Sequence, residues 1–85
     1  MEDKIKVELN REYRIREVSD KGFILNSKGN KDYSRVLALT KQGILKSRIY
    51  ETGSDYRIKR LISGHDIKSF IEQKEPLRLG LFEFV

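Results

Sequence analysis

The amino-acid sequence predicts a mainly β (β-rich α+β) domain: about seven short strands in an antiparallel meander, curled into a small barrel or strongly bent sheet, with one short helix before the last strand. Three observations predict it. Apolar and charged residues alternate near the start of the chain, turn-forming residues then separate short runs rich in β-branched and aromatic side chains, and the apolar period changes once to that of a helix, after residue 63. In a chain of 85 residues these elements share one core, so residues 1–85 are expected to form a single small β-rich domain.

The elements follow in order. Lys4-Ile5-Lys6-Val7-Glu8-Leu9 sets Ile5, Val7 and Leu9 on one face and charges on the other, the pattern of a half-buried strand. Tyr13 to Val18 reads as a second strand, and Ser19-Asp20-Lys21-Gly22 supplies a tight turn, its glycine free to take positive φ, before Phe23-Ile24-Leu25 forms the third. Asn26 to Asp32 is the most polar and turn-rich stretch and reads as a longer loop. Tyr33 to Thr40 and Gly43 to Tyr50 flank Lys41-Gln42 as another hairpin.

Gly53-Ser54 fits a type II′ turn leading into Tyr56 to Ile62, and that turn fixes a register. Ile49 then pairs with Ile58 and Leu45 with Ile62 on the apolar face, while Tyr50 faces Arg57 and Arg48 faces Lys59 on the other. Arg60 and Ser47 are the exceptions, polar residues on the apolar face. Ser63-Gly64-His65-Asp66 matches a helix-capping signature, and Ile67, Phe70 and Ile71 recur at i, i+3 and i+4, which predicts a helix from about His65 to Lys74. Glu75-Pro76 stops it, because proline disfavours helical backbone at the residue before it. Leu77 to Val85 closes the chain as an apolar strand, with Gly80 marking a bulge. An SH3-like or OB-like barrel is the nearest architecture, and an open sheet with the helix across its apolar face is the α+β alternative.

Eighteen Lys and Arg against thirteen Asp and Glu give a formal charge of +5, which favours a polyanion as partner. The absence of cysteine removes disulfides and thiolate metal sites and suits a reducing compartment, so a cytoplasmic location is expected. No apolar run approaches the roughly 20 residues a membrane helix needs, and the opening Met1-Glu2-Asp3-Lys4 lacks the basic and apolar regions of a secretory signal.

Among candidate sites the strongest is the outward face of the second hairpin, where Lys46, Arg48, Arg57 and Lys59 cluster with Tyr50. Cations for phosphate beside an aromatic ring for base stacking suit a single-strand or RNA platform. The competing reading of the same residues is a solvated strand face whose Lys and Arg deter edge aggregation. A second basic group, Lys4, Lys6, Arg14 and Arg16, lies on the first two strands, with Glu8, Glu12 and Glu17 available to pair with it. His65 beside Asp66 reads as a helix start in preference to an acid–base pair, because adjacent side chains on a helical turn diverge. Neither phosphate-binding glycine motif occurs, and one histidine with no cysteine makes a thin metal set, so the expectation is a non-catalytic module with no metal and no cofactor, a small motif-free nuclease being the minor alternative. Its partner is nucleic acid or another polyanion. The alternative is a small protein-binding adaptor or inhibitor, self-associating or not, acting through a β-edge or an aromatic patch with Tyr33, Tyr50, Tyr56 or Phe82 as anchor.

Overall fold

The computed structural model describes residues 4–52 and 58–85. It is an α+β fold with two small open sheets and, among the described residues, no closed barrel. In chain order the elements are β1 (Ile5–Val7), β2 (Glu12–Arg14), α1 (Ile15–Asp20), α2 (Tyr33–Lys41), β3 (Arg48–Thr52), β4 (Ile58–Ser63), α3 (Gly64–Lys74), a 3-10 helix (Pro76–Leu81) and β5 (Phe82–Phe84). The predicted meander is therefore overturned: two segments read as strands are helices, and the first and last strands pair with each other in parallel.

The first misread segment is Tyr13 to Val18. Only Glu12–Arg14 is strand, and the chain then turns into α1, which buries Ile15, Val18 and Ser19 at i, i+3 and i+4. Glu17 fixes the start by accepting the backbone N–H of Arg14 at 3.1 Å. Gly22, at φ +72, ends the helix instead of turning a hairpin: its N–H donates to Ser19 O at 3.1 Å and that of Phe23 to Val18 O at 3.1 Å. These are the paired bonds of a left-handed glycine C-cap, with Val18 and Phe23 both in the core behind it. Phe23-Ile24-Leu25 is no strand; Leu25 only bridges to Lys31 across the predicted polar loop.

The second misread segment is Tyr33 to Thr40, which forms α2. Asp32 caps it, accepting from the Arg35 N–H at 3.4 Å, and Val36, Leu39 and Thr40 supply the buried stripe. Gly43, at φ +76, repeats the C-cap of α1, with Gly43 N–H to Thr40 O at 3.2 Å and Ile44 N–H to Leu39 O at 3.1 Å. Tyr, Val and Thr favour strands locally, but the capping residues and the shared core settle both segments as helix.

α3 forms as predicted. Ser63 accepts the Asp66 N–H at 3.1 Å, Ile67, Phe70 and Ile71 are buried, and the helix ends at Lys74 before Glu75-Pro76. The final segment differs from the expected strand. Pro76 opens a 3-10 helix that leaves Leu77 almost wholly exposed, and only Phe82–Phe84 is strand, running parallel to β1 with Ile5 opposite Phe82 and Val7 opposite Phe84. Arg78 pins this segment: its guanidinium donates to Phe23 O at 3.1 Å and Gly22 O at 3.0 Å, and lies over the Phe82 ring.

The other sheet is antiparallel, in the order β2-β4-β3. Tyr13 pairs with Ile62, and both point into the core. There Tyr13 meets Phe23 edge to face, its hydroxyl accepting the Glu8 N–H at 3.0 Å, and Phe23 in turn meets Phe82. This aromatic chain joins both sheets to the end of α1.

Candidate nucleic-acid interface

The hairpin register differs from the predicted one. Arg48 lies opposite Leu61 and Ile49 opposite Arg60; beyond a bulge at Tyr50, Glu51 lies opposite Lys59 and Thr52 opposite Ile58. Before the bulge the strands have slid by two residues, which preserves the faces and changes every partner. Leu45 is buried but precedes β3, and Ile62 has Tyr13, not Leu45, as its neighbour. The two misfits of the predicted pairing meet each other, Arg60 donating to Ser47 Oγ at 3.5 Å. The Gly53-Ser54 turn, Tyr56 and Arg57 lie outside the described residues.

The proposed cation cluster is dispersed accordingly. Arg48 is on the outward face, but its guanidinium reaches over β4 to Glu12, with Nε to Oε2 at 2.9 Å and Nη2 to Oε1 at 2.7 Å. This bidentate pair holds the Glu12 carboxyl below its ordinary range, chiefly through the hydrogen bond, and raises Arg48. Its charge is compensated within the protein. Lys46 is exposed and stands before β3, where with Ile44 it faces α3 across a shallow cleft. Tyr50 is half-buried at the bulge, and Lys59 is exposed on β4. Arg14, from the second basic group, shares the outward row with Leu61 and Arg48, while Lys4 and Lys6 belong to the β1 end of the molecule. Of the aromatic anchors, Tyr33 is 40% exposed whereas Phe82 is 4% exposed and belongs to the core, so a surface role for Phe82 is overturned.

His65 is exposed, its Nε2 lying 3.3 Å from Asn10 Oδ1, and Asp66 is bound to Ser63. The cleft beside α3 measures about 90 Å³, far below the roughly 300–1,000 Å³ that encloses a nucleotide-sized ligand.

The structure instead assembles a polar, basic surface around α2. α1 and α2 pack against each other, with the Arg16 guanidinium 5.1 Å from the centre of the Tyr33 ring. Tyr33, Ser34, Ala38 and Lys41 form the exposed stripe of α2, opposite the buried Val36, Leu39 and Thr40. The loop before it presents Lys28 and Lys31 and is tied down at three points: Asn26 Oδ1 accepts from Lys28 N and Asn30 N at 2.9 and 3.0 Å, Asn26 Nδ2 donates to Asp32 Oδ2 at 3.4 Å, and Arg35 Nε donates to Leu25 O at 3.0 Å. A sequence signal for this surface exists: residues 33–41 contain no Asp or Glu and carry Arg35 and Lys41. Reading 33–40 as a strand hid it, because the alternation of a strand divides these side chains between two faces.

Comparison of the chain with protein-family models, with curated proteins and with solved structures finds no match.

Proposed function

We propose that this domain binds nucleic acid, and specifically duplex DNA, through the exposed stripe of α2. The observation that carries the reading is the placement of α2: it is packed on a preceding helix, followed by the β3–β4 hairpin, and contains no acidic residue. Helix pairs that read DNA lay the second helix in the major groove while the first crosses the backbone. A helix about 10–12 Å across fits a groove about 12 Å wide. Residues 21–32, which join the pair here, make a longer connection than the usual three or four residues, and the hydrogen bonds of Asn26 and Arg35 hold it in place.

In this pose Ser34, Ala38 and Lys41 face base edges: a hydroxyl for either donor or acceptor, a methyl for thymine, and a cation for guanine O6 and N7. Arg16, Lys28 and Lys31 reach the flanking phosphates. Arg48 contributes little, since Glu12 occupies its donors. A cytoplasmic location accords with this role, and among the described residues no helix is long and apolar enough to cross a membrane.

Fluorescence anisotropy with labelled duplex DNA, single-stranded DNA and RNA tests the proposal. Duplex should bind most tightly, and three phosphate contacts should weaken binding roughly 40-fold between 50 and 200 mM salt. Lys41→Glu should weaken it at least tenfold and Arg48→Gln much less. Absence of duplex binding at low salt, or full affinity in Lys41→Glu, refutes it. One observation favours a protein partner instead: Leu77 stands 98% exposed on the 3-10 helix, beside the half-exposed Leu81. Sedimentation equilibrium, comparing the chain with Leu77→Asp, tests self-association by that route.

A further inference from the structure

We infer that the cleft between α3 and the segment before β3 docks a short acidic peptide segment bearing one apolar side chain, a partner separate from DNA. One wall is a continuous stripe of α3, since Asp66, Ser69, Phe70, Gln73 and Lys74 recur at helical spacing along it; Ile44 and Lys46 form the other.

Three features select the occupant. Ile44 is 46% exposed while Phe70 is 4% exposed, so in a lining that is otherwise mostly polar the Ile44 side chain is the exposed apolar surface. Its volume of about 90 Å³ holds a single side chain, not a cofactor. Lys46 and Lys74 flank it, both exposed and with no carboxylate partner among the described residues. The cleft's own carboxylate, Asp66, is hydrogen-bonded to Ser63 Oγ at 3.0 Å, while Ser69 and Gln73 offer side-chain donors in the lining. Paired cations beside one exposed aliphatic side chain complement carboxylates beside an apolar residue, and like charge repels a basic segment. Lys46, read from the sequence as a phosphate contact on the hairpin, takes its place here in this site.

Titration of the nitrogen-15-labelled domain by NMR with three short peptides tests the inference: Asp-Glu-Leu-Glu-Asp, the same peptide with Ser for Leu, and Lys-Arg-Leu-Arg-Lys. The first should shift the amides of Ile44, Lys46, Ser69, Gln73 and Lys74 in a saturable way. The second should bind about tenfold more weakly, and the third should leave these amides unmoved. The double variant Lys46→Gln, Lys74→Gln, whose two changes lie on exposed side chains and place no acid in the last turn of α3, should lose most of the first peptide's effect while keeping its affinity for duplex DNA within a few-fold. Equal response to the basic peptide, no response to the acidic one, or a response that survives the double variant overturns the inference. If duplex DNA shifts the same amides and the double variant abolishes DNA binding, the cleft is part of the nucleic-acid surface and the peptide assignment is wrong, whereas peptide binding without DNA binding rejects only the α2 reading.

Discussion

Replacing Gly64 by Ala should destabilise this domain, although helix propensity alone argues for the opposite. Gly64 is the first residue of α3, where Ala is intrinsically the better helix former by up to about 1 kcal/mol. Its α-carbon, however, lies directly against the turn after β1. A methyl group there would press into the carbonyl oxygen of Glu8 and stand 2.7 Å from both the Glu8 carbonyl carbon and Leu9 Cα. These are backbone atoms, so no rotamer change relieves the contact. Overpacking of this kind costs about 1–3 kcal/mol. Separating the segments also loosens the bonds from Gly64 N–H to Arg11 O at 2.9 Å and from His65 N–H to Leu9 O at 3.2 Å, each worth about 1 kcal/mol. After the propensity gain the net loss is about 3 kcal/mol, or roughly 12–24 °C in Tm for a domain of this size. Thermal and urea unfolding followed by circular dichroism measure it. Gly80→Ala is the control, because a methyl group at that glycine meets nothing within 4 Å, and it should be neutral or slightly stabilising. A Gly64→Ala Tm equal to or above that of the parent refutes the close approach.

Phe70→Ala should cost about 3–5 kcal/mol in urea unfolding, since the ring is 4% exposed in the core; near-normal stability would mean that α3 turns it elsewhere. The Glu12 carboxyl should titrate below its ordinary range by NMR, and Arg48→Gln should return the midpoint upward. Because the folded-state pKa is the lower one, the pair favours folding above the unfolded carboxylate pKa, and that contribution disappears as the pH falls through the folded value. An unchanged midpoint in Arg48→Gln contradicts the pairing. Tyr33→Leu should weaken duplex DNA binding about two- to fivefold by releasing Arg16, while Tyr33→Phe keeps the ring and the affinity; equal losses would assign the effect to the hydroxyl.

The parts of this fold legible in the sequence are those whose cause is local. Ile5 and Val7 alternate as β1 requires, although Leu9 falls in the turn after it, Ser63 and Pro76 bracket α3, and Asn26 to Asp32 forms the polar loop. Gly22 and Gly43 were the ambiguous letters. A left-handed glycine serves a hairpin turn and a helix C-cap equally well, and the β-branched and aromatic residues ahead of each favour a strand locally. The parallel pairing of β1 with β5 has no local signature at all, because it joins residues at opposite ends of the sequence. In the candidate site the charges were visible but not their compensation: Arg48 is held by Glu12, 36 positions away, and only the β2-β4-β3 order brings the two together. The α2 surface was hidden behind a single wrong period, since the same residues read as helix fall into one buried and one exposed stripe.

The β1–β5 pairing has a consequence for the life of the chain before it is folded. Synthesis delivers Ile5–Val7 before Phe82–Phe84, so β1 waits through the synthesis of every residue between them as an open edge with its hydrogen-bonding groups unclaimed. Arg78, which seizes the carbonyls of Gly22 and Phe23, emerges only four residues ahead of β5. Closure is thus a late, long-range event that completes the core with Phe82, and a ribosome pausing before residue 78 would hold a nascent domain whose first strand is free to recruit a stranger.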